Sequence, residues 1–213
     1  AQADIQYTEA IKQFDEGNFD EFLEQFFLAI HSRYDIEKPL AKRYIRKKLG
    51  IINQLKKENT RLKESIRNKE KNLQKYAKEY YQMGNECITQ ARDARAAIAN
   101  YNKAIELDGK FVDAWIRKGI TLHNESDYHE AEACFNQAVK LSPRLFKAVY
   151  NRGKNRIATG NYEGAVSDLD RACTIKQDHP KAHELLGDAF SKLGKMDEAA
   201  LHWEIAERLR EKS

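Results

Sequence analysis

Residues 112–145 read VDAWIRKGITLHNESDYHEAEACFNQAVKLSPRL. Helix-forming residues dominate both halves of this stretch, and the turn-forming residues 124–127 separate them. Gly119 lies midway along the first half, where a small residue lets a second helix approach without overpacking. Pro143 lies where the second helix should stop. The stretch therefore predicts two helices joined by a short turn.

The same pattern recurs through residues 77–213 with a period of 34 residues, apart from one interval of 35. Four columns of residues keep this period: a glycine, an alanine, a bulky residue and a second alanine. They are Gly84, Gly119, Gly153, Gly187; Ala97, Ala131, Ala165, Ala199; Tyr101, Phe135, Leu169, Trp203; and Ala104, Ala138, Ala172, Ala206. Such a period indicates stacked helical hairpins. We expect the bulky column to fill the space between one hairpin and the next.

The second of these units closely resembles the consensus of the tetratricopeptide repeat (TPR). The residues that carry the resemblance are Trp115, Gly119, Leu122, Tyr128, Ala131, Phe135, Ala138 and Pro143. The resemblance to the TPR covers four units, 77–111, 112–145, 146–179 and 180–213. It implies an all-α fold, a right-handed α-α superhelix of helical hairpins. The first unit departs most, because it has one extra residue and reads TQARDAR at 89–95, where a glycine turn would sit. Either its first helix runs further or its turn bulges.

The charge of the chain divides it into three parts. Residues 1–37 carry nine acidic residues against two basic ones, residues 38–80 carry fifteen basic against four acidic, and the remainder balances. The sequence of the acidic part resembles the second half of a repeat, but it is out of phase with the four repeats. This part contains five phenylalanines: Phe14, Phe19, Phe22, Phe26 and Phe27. We therefore predict that residues 1–36 form an acidic, aromatic-rich helical hairpin similar to a degenerate TPR.

Residues 37–76 predict one long basic helix with heptad character. Its apolar seam has β-branched residues at one position, leucine at the other and a single asparagine between them: Ile52, Leu55, Asn59, Leu62 and Ile66. This combination favours a parallel two-stranded coiled coil, and Glu58 would face Lys63 of a second copy. Two hypotheses stay open, dimerisation through this seam and packing of the seam within the same chain.

The start of this helix is strongly basic. Residues 38–57 contain eight lysines and arginines and no acidic residue. Three interpretations are open: a solvated face, docking onto the acidic N-terminal part, or contact with nucleic acid or an anionic membrane surface. The asparagine and arginine pattern of basic-zipper DNA readers is not evident, so nucleic acid is the least favoured partner.

The resemblance to the TPR family implies a concave groove lined by the first helix of each unit. The groove residues it implies are Lys78, Tyr81, Gln82, Asn85, Thr89, Asp113, Ile116, Arg117, Ile120, Asn124, Lys147, Tyr150, Asn151, Lys154, Lys181, Glu184, Asp188 and Lys192. Family members that clamp a chaperone's C-terminal carboxylate have a lysine where this chain has Tyr81, and the expected asparagine and arginine positions hold Arg117 and Asn151. We therefore expect a related anion grip, in which Arg117, Lys147 and Lys154 converge on an acidic segment or terminal carboxylate.

Other functional classes find little support in the sequence. There is no glycine-rich phosphate loop and no recognisable catalytic constellation, so we expect neither an enzyme nor a cofactor. His179 and His183 have a metal-like spacing, but His179 precedes Pro180 and should lie before the helix, so no metal site is expected. The three cysteines form no CxxC pair and no apolar run could span a membrane, which favours a reducing, cytoplasmic location.

These observations predict an adaptor or scaffold that binds a peptide or protein segment in the TPR groove and dimerises through the central helix or is braced by it. The alternative is a structural protein whose repeats self-assemble into a larger oligomer. A groove occluded by a neighbouring copy would favour this alternative.

Overall fold

The computed structural model describes residues 38–212 and the isolated positions Phe22, Gln25 and Phe26, without the side chains at 38–42, 44, 45, 48 and 49. The predicted N-terminal hairpin, residues 1–36, lies outside the described residues except for those three positions. Every regular element in the described part of the chain is a helix, which confirms the all-α prediction. None of the helices described is long and apolar enough to cross a membrane.

The described chain begins with one long helix, α1, Lys38–Glu86. Pro39 is the last proline before position 143, and good helix formers fill most of the positions between. The chain divides into two compact units between Asn68 and Lys69, within this helix. In the first unit, the basic side chains at positions 43, 46, 47, 56 and 57 are exposed.

The second unit continues α1 to Glu86 and then stacks further helices in chain order. These are a π-helical turn, Cys87–Ala91, followed by α2 (Ala94–Leu107), α3 (Val112–Asn124), α4 (Tyr128–Leu141), α5 (Phe146–Ala158), α6 (Tyr162–Ile175), α7 (Pro180–Lys192) and α8 (Met196–Glu211). Successive helices pack on one another throughout this unit. The predicted Pro180 start is confirmed: His179 is the N-cap of α7, and its Nδ1 accepts from Ala182 N–H at 3.2 Å.

The turn inside each helix pair contains one residue in the left-handed region. These residues are Arg92 (φ 51°), Ser126 (φ 66°), Gly160 (φ 78°) and Gly194 (φ 75°), 34 residues apart each time. The next residue caps the second helix; Asp93, Asp127 and Asn161 accept from a backbone N–H three residues on. The turns therefore keep the repeat period, although only two of them use glycine.

The periodic glycine of each repeat packs against the bulky side chain of the same repeat. A Cβ placed at Gly119 would lie 2.7 Å from the Phe135 ring, and one at Gly153 would lie 2.8 Å from Leu169 Cγ. Phe135 and Leu169 are essentially fully buried. The close approach predicted at glycine is therefore real, and the bulky side chain fills space within its own helix pair. Leu169 also packs in a core cluster with Ala182, Leu186 and Ala189 of α7, so it fills the space towards the next pair as well, as predicted.

A buried ion-pair network joins the second and third repeats. The Asp168 carboxylate, 1% exposed, accepts from Arg152 Nε at 2.7 Å and Nη2 at 2.6 Å, and from Arg156 Nη1 at 2.9 Å. Arg156 Nε also donates to Glu132 Oε1 at 2.9 Å. Asn155 Nδ2 donates to the Tyr128 carbonyl at 3.0 Å. The hydrogen bonds to Asp168 raise the pKa of Arg152. Asp168 and Glu132 together supply two negative charges to the two guanidinium groups.

Candidate peptide-binding groove

A cavity of about 460 Å³ opens in the second unit where the first two repeats meet. It is bordered by the end of α1, the π-helical turn, α2 and α3, and we call it the π-turn cavity. Its lining residues are Asn85, Ile88, Thr89, Arg92, Ala94, Tyr101, Arg117, Ile120, Thr121, Asn124 and Glu125. Its position between two first helices places it on the surface that the family resemblance assigns to the groove.

The floor of the cavity is fixed by a hydrogen-bonded tyrosine. The Tyr101 hydroxyl donates to Asn85 Oδ1 at 2.9 Å, and its ring fills the space above Gly84. Burial raises the pKa of Tyr101 even though the nearby Arg117 charge lowers it, so this hydroxyl stays a proton donor. Thr121 is held in the same way, because its Oγ1 donates to the Arg117 carbonyl at 2.9 Å. These contacts orient one amide and one hydroxyl at the base of the cavity.

Two arginines and one glutamate supply the charge of the cavity. Arg92, Arg117 and Glu125 are all exposed. Among the residues that the structure describes, neither guanidinium group has an ion-pair partner. Two cations against one anion leave the lining with a net positive charge, which favours an anionic ligand.

Five of the predicted groove residues line this cavity: Asn85, Thr89, Arg117, Ile120 and Asn124. The cavity also contains residues that the sequence reasoning missed, chiefly Arg92. The signal that could have identified Arg92 is that it continues, at intervals of 34 residues, the series of Ser126, Gly160 and Gly194, but an arginine is an unexpected residue at a left-handed position.

The other predicted groove residues lie outside this cavity. Lys78, Asp113, Lys147 and Lys154 have exposed side chains on α1, α3 and α5. Tyr81 packs on the rings of Tyr101 and Phe111, and Tyr150 on those of Phe146 and His179. Asn151 donates to the Lys147 carbonyl, Lys181 pairs with Glu184, and Asp188 accepts from Trp203 Nε1 at 3.0 Å. Gln82 and Lys192 are exposed.

Ile116 corrects the predicted groove list. Its side chain is 3% exposed and packs in a core cluster with Val139, Ala148 and Val149. The following hairpin covers this face of α3, so Ile116 is a core residue and is not available to a bound segment.

The predicted dimerisation seam lies in the first unit. Leu55, Leu62 and Ile66 are 56–59% exposed, Asn59 is exposed, and Ile52 is half-buried. Leucine and isoleucine side chains at heptad spacing that are more than half exposed form an apolar stripe, which soluble proteins usually cover.

The last repeat contains a histidine pair. His183 Nδ1 and His202 Nδ1 lie 3.2 Å apart, and His183 Nε2 lies 3.2 Å from the Gln177 carbonyl. A carbonyl only accepts, so in the neutral pair His183 Nε2 donates to Gln177 and His202 Nδ1 donates to His183 Nδ1. Burial, reinforced by the neighbouring His183, lowers the pKa of His202. This pair packs helices α7 and α8.

The chain matches two family models and several known sequences. The models are described as tetratricopeptide repeat, over residues 112–145, and TPR repeat, over residues 155–194. The uncharacterised protein MJ0572 of Methanocaldococcus jannaschii is 35% identical over 77 residues, which cover 36% of this chain and 88% of that protein. The BBSome complex member BBS4 homologue of Drosophila melanogaster is 27% identical over 120 residues, 56% of this chain. This chain spans only a quarter of that relative's length (25%).

Solved structures share the fold. MamA (residues 41 to the end) from Desulfovibrio magneticus RS-1 superposes with a TM-score of 0.60 at 16% identity, over 100% of this chain and 97% of that one. The first TPR domain of Spaghetti (RPAP3), bound to the HSP90 peptide SRMEEVD, gives 0.55 at 23% identity, over 57% of this chain and 95% of that one. Repeat period, helix packing and sequence matches agree, and the chain belongs to the tetratricopeptide-repeat proteins.

Proposed function

We propose that this protein is an adaptor that binds a segment of another protein in its TPR groove. The observation that carries the proposal is the π-turn cavity, where Asn85, Arg117 and Asn124 converge and Arg117 has no ion-pair partner in the described part of the chain. A concave site with a few polar groups and an unpaired cation suits the side chains of an extended segment.

We propose that exposed lysines on the first helices of the first and third repeats extend this site. Lys147 and Lys154 lie on α5, the first helix of the third repeat, and Lys78 lies on α1. We propose that Arg117, Lys147 and Lys154 grip an acidic segment or a terminal carboxylate. The similar RPAP3 domain was solved with the peptide SRMEEVD, which contains two glutamates and an aspartate, and this supports an acidic partner.

Affinity capture with matched charge variants tests the proposal. The variant Arg117→Ala/Lys147→Ala removes two groove cations, and Arg95→Ala/Lys140→Ala removes two exposed cations from the second helices α2 and α4. We expect the groove variant to lose most of the captured partner, quantified by mass spectrometry, and the control variant to retain it. Equal capture by wild type and groove variant would contradict the proposal.

A second role, dimerisation, is favoured by the exposed stripe of Leu55, Leu62 and Ile66 on α1. In a parallel pair Asn59 would face its own copy at the seam, and Glu58 would face Lys63. This arrangement would make the protein a two-headed adaptor; the alternative is a larger self-assembled oligomer in which repeats of neighbouring copies occlude the groove.

Oligomeric state separates these possibilities. We expect a dimer by sedimentation equilibrium at micromolar concentration, and Asn59→Ile should alter the oligomeric state because the polar position that fixes register is lost. Asn53→Ile makes the same change at an exposed position outside the seam and should have no such effect. A monomer would contradict the dimer, and a higher oligomer in the wild type would favour self-assembly.

We also propose a cytoplasmic location, on the basis of the thiols. All three cysteines are free, and Cys134 and Cys173 are buried. Burial raises the pKa of each of these two thiols to about 11, which keeps them protonated and unreactive. Fractionation of cells that express the tagged protein would test this location.

A further inference from the structure

The π-helical turn absorbs the extra residue of the first repeat. Eight positions separate Gly84 from the left-handed residue Arg92, whereas seven separate Gly119 from Ser126 and Gly153 from Gly160. The hydrogen bond that closes the turn differs accordingly: Asp93 N–H donates to the Cys87 carbonyl six residues back, whereas Asp127 N–H donates to Leu122 five residues back. A single inserted residue of this kind forms a π-bulge, and such bulges are frequent at functional sites.

The turn places an arginine where the backbone prefers glycine. Arg92 has φ 51°, whereas the equivalent positions in the third and fourth repeats are Gly160 and Gly194. A left-handed conformation is unfavourable for a residue with a Cβ, and glycine would adopt it freely. Stability alone therefore gives no reason for arginine at this position. Its guanidinium group, in contrast, lines the π-turn cavity together with Arg117.

Across the residues that the structure describes, the two guanidinium groups of the cavity have no counter-charge within ion-pair distance, whereas those of the core do. Arg152 and Arg156 are neutralised by Asp168 and Glu132. Glu125, the acidic residue that lines the π-turn cavity, makes no ion pair within 4.0 Å to either arginine. Two guanidinium groups with free donors and a neighbouring amide suit a carboxylate, which accepts up to four hydrogen bonds.

We propose that Arg92 and Arg117 together bind an internal aspartate or glutamate side chain of the partner segment, with Arg92 set by the π-bulge as the specificity residue. This inference rests on the proposed function, in which the groove binds an acidic segment of another protein. The π-turn cavity then binds one side-chain carboxylate within that segment. The inserted residue is thus what distinguishes the first repeat functionally from the other three.

Two end-blocked peptides test the proposal by calorimetry and by arginine Nε–Hε signals in NMR spectra. The probes are acetyl-GSLEELSG-amide and its twin acetyl-GSLQQLSG-amide, neither of which has a terminal carboxylate. We expect the glutamate peptide to bind about tenfold more tightly than its twin, because one charge-assisted hydrogen bond contributes about that factor. Arg92→Ala and Arg117→Ala should each weaken the affinity for the glutamate peptide by about tenfold, and Glu125→Gln should strengthen that affinity. The exposed control Arg95→Ala should leave the affinity unchanged.

Arg92→Gly separates a binding role from a structural one. This variant should weaken binding of the glutamate peptide as much as Arg92→Ala does, while its Tm should equal or exceed that of the wild type. Equal affinity for the two peptides, no binding of either at millimolar concentration, or unchanged affinity in Arg92→Ala would each overturn the inference. If partner capture still depends on Arg117 and Lys147 in those cases, the proposed function stands without this site; if capture is also insensitive, both fail.

Discussion

Two junctions between repeats use arginine in opposite ways. At the junction of the second and third repeats, Arg156 pairs with Glu132 across the junction and shares Asp168, which is 1% exposed, with Arg152, so the charges are satisfied within the protein. At the junction of the first and second repeats, Arg92 and Arg117 line a cavity of about 460 Å³ and have no ion pair in the described residues. The same helical packing therefore produces a closed, stabilising junction in one place and an open, charged one in the other.

One column of the repeat supplies the acid of the closed junction. The residue before the bulky column is Asn100, Cys134, Asp168 and His202 in the four units. Only the third unit supplies an acid there, and that acid neutralises the arginines of α5. In the first two units the column holds neutral residues: Asn100 Nδ2 donates to Cys87 Sγ at 3.6 Å, and Cys134 is buried. The buried acid in this column is therefore particular to the third repeat among the four.

The largest expected effect comes from breaking the closed junction. Asp168→Asn removes the shared carboxylate, which leaves the Arg152 guanidinium group without its counter-charge and Arg156 with Glu132 alone, so the free energy of unfolding should fall by about 3 kcal/mol. Urea denaturation measures this loss.

Asp170→Asn is the matched control, because Asp170 is exposed on the same helix and its loss should change the unfolding free energy by less than about 0.5 kcal/mol. An Asp168→Asn variant as stable as this control would show that the closed junction does not depend on the buried carboxylate.

Packing should be equally tight at both junctions, so that only charge distinguishes them. Gly84→Ala, beside Tyr101 at the open junction, and Gly153→Ala, beside Leu169, each place a Cβ less than 3.0 Å from a buried side chain, and each should lower the unfolding free energy by about 1–3 kcal/mol. Gly50→Ala, which has nothing within 4 Å, should instead stabilise the helix by about 0.5–1 kcal/mol. If Gly84→Ala cost nothing while Gly153→Ala destabilised the protein, the open junction would be loosely packed, and charge alone would not distinguish the two junctions.

The open junction should gain stability when its strained arginine is removed. Arg92→Gly restores the residue found at positions 160 and 194, and the unfolding free energy should rise by about 0.5–1 kcal/mol as the left-handed strain is relieved. Gly160→Ala, the reverse change at an equivalent turn, should destabilise by a similar amount. A destabilised Arg92→Gly variant would mean that the arginine side chain contributes to the fold.

The smallest effect concerns pH in the last repeat. Burial, with Lys176 beside it, lowers the pKa of His179, and burial with His183 lowers that of His202. As pH falls, the two histidines therefore bind protons in the unfolded chain before they do so in the folded protein. The stability that the two neutral histidines contribute is complete above the unfolded pKa of about 6.5 and is lost as pH falls through the folded pKa values. Urea unfolding at pH 8, 7, 6 and 5.5 should show the loss, and His202→Asn should reduce it. If this variant had the same pH dependence as the wild type, His202 would not contribute to the loss of stability at low pH.

Much of the fold could be predicted because it depends on local, periodic features. The glycine and alanine columns predicted the hairpins, and the interval of 35 between Gly84 and Gly119 predicted an irregular first repeat. The sequence left open whether the helix extends or the turn bulges; the structure places the bulge at Cys87–Ala91, inside the helix end. That choice depends on backbone hydrogen bonds, which the residue pattern does not specify.

The site was predictable only where a side chain projects from a regular helix. Asn85, Arg117, Ile120 and Asn124 follow from position along the first helices. Ile116 was wrongly placed in the groove, because its burial depends on the next hairpin packing over it. Arg92 was missed because its backbone conformation is unusual for arginine. The pairing of Asp168 with two arginines was missed as well, since it joins residues 12 and 16 positions apart through tertiary packing.

Site-specific photo-crosslinking tests the central claim, that the groove holds a partner segment, most directly. A benzoylphenylalanine at Asn124, which lines the π-turn cavity, should crosslink to the partner in cells, whereas one at Lys140, exposed on the second helix α4, should not. Partner crosslinks that form at Lys140 and not at Asn124 would contradict the account.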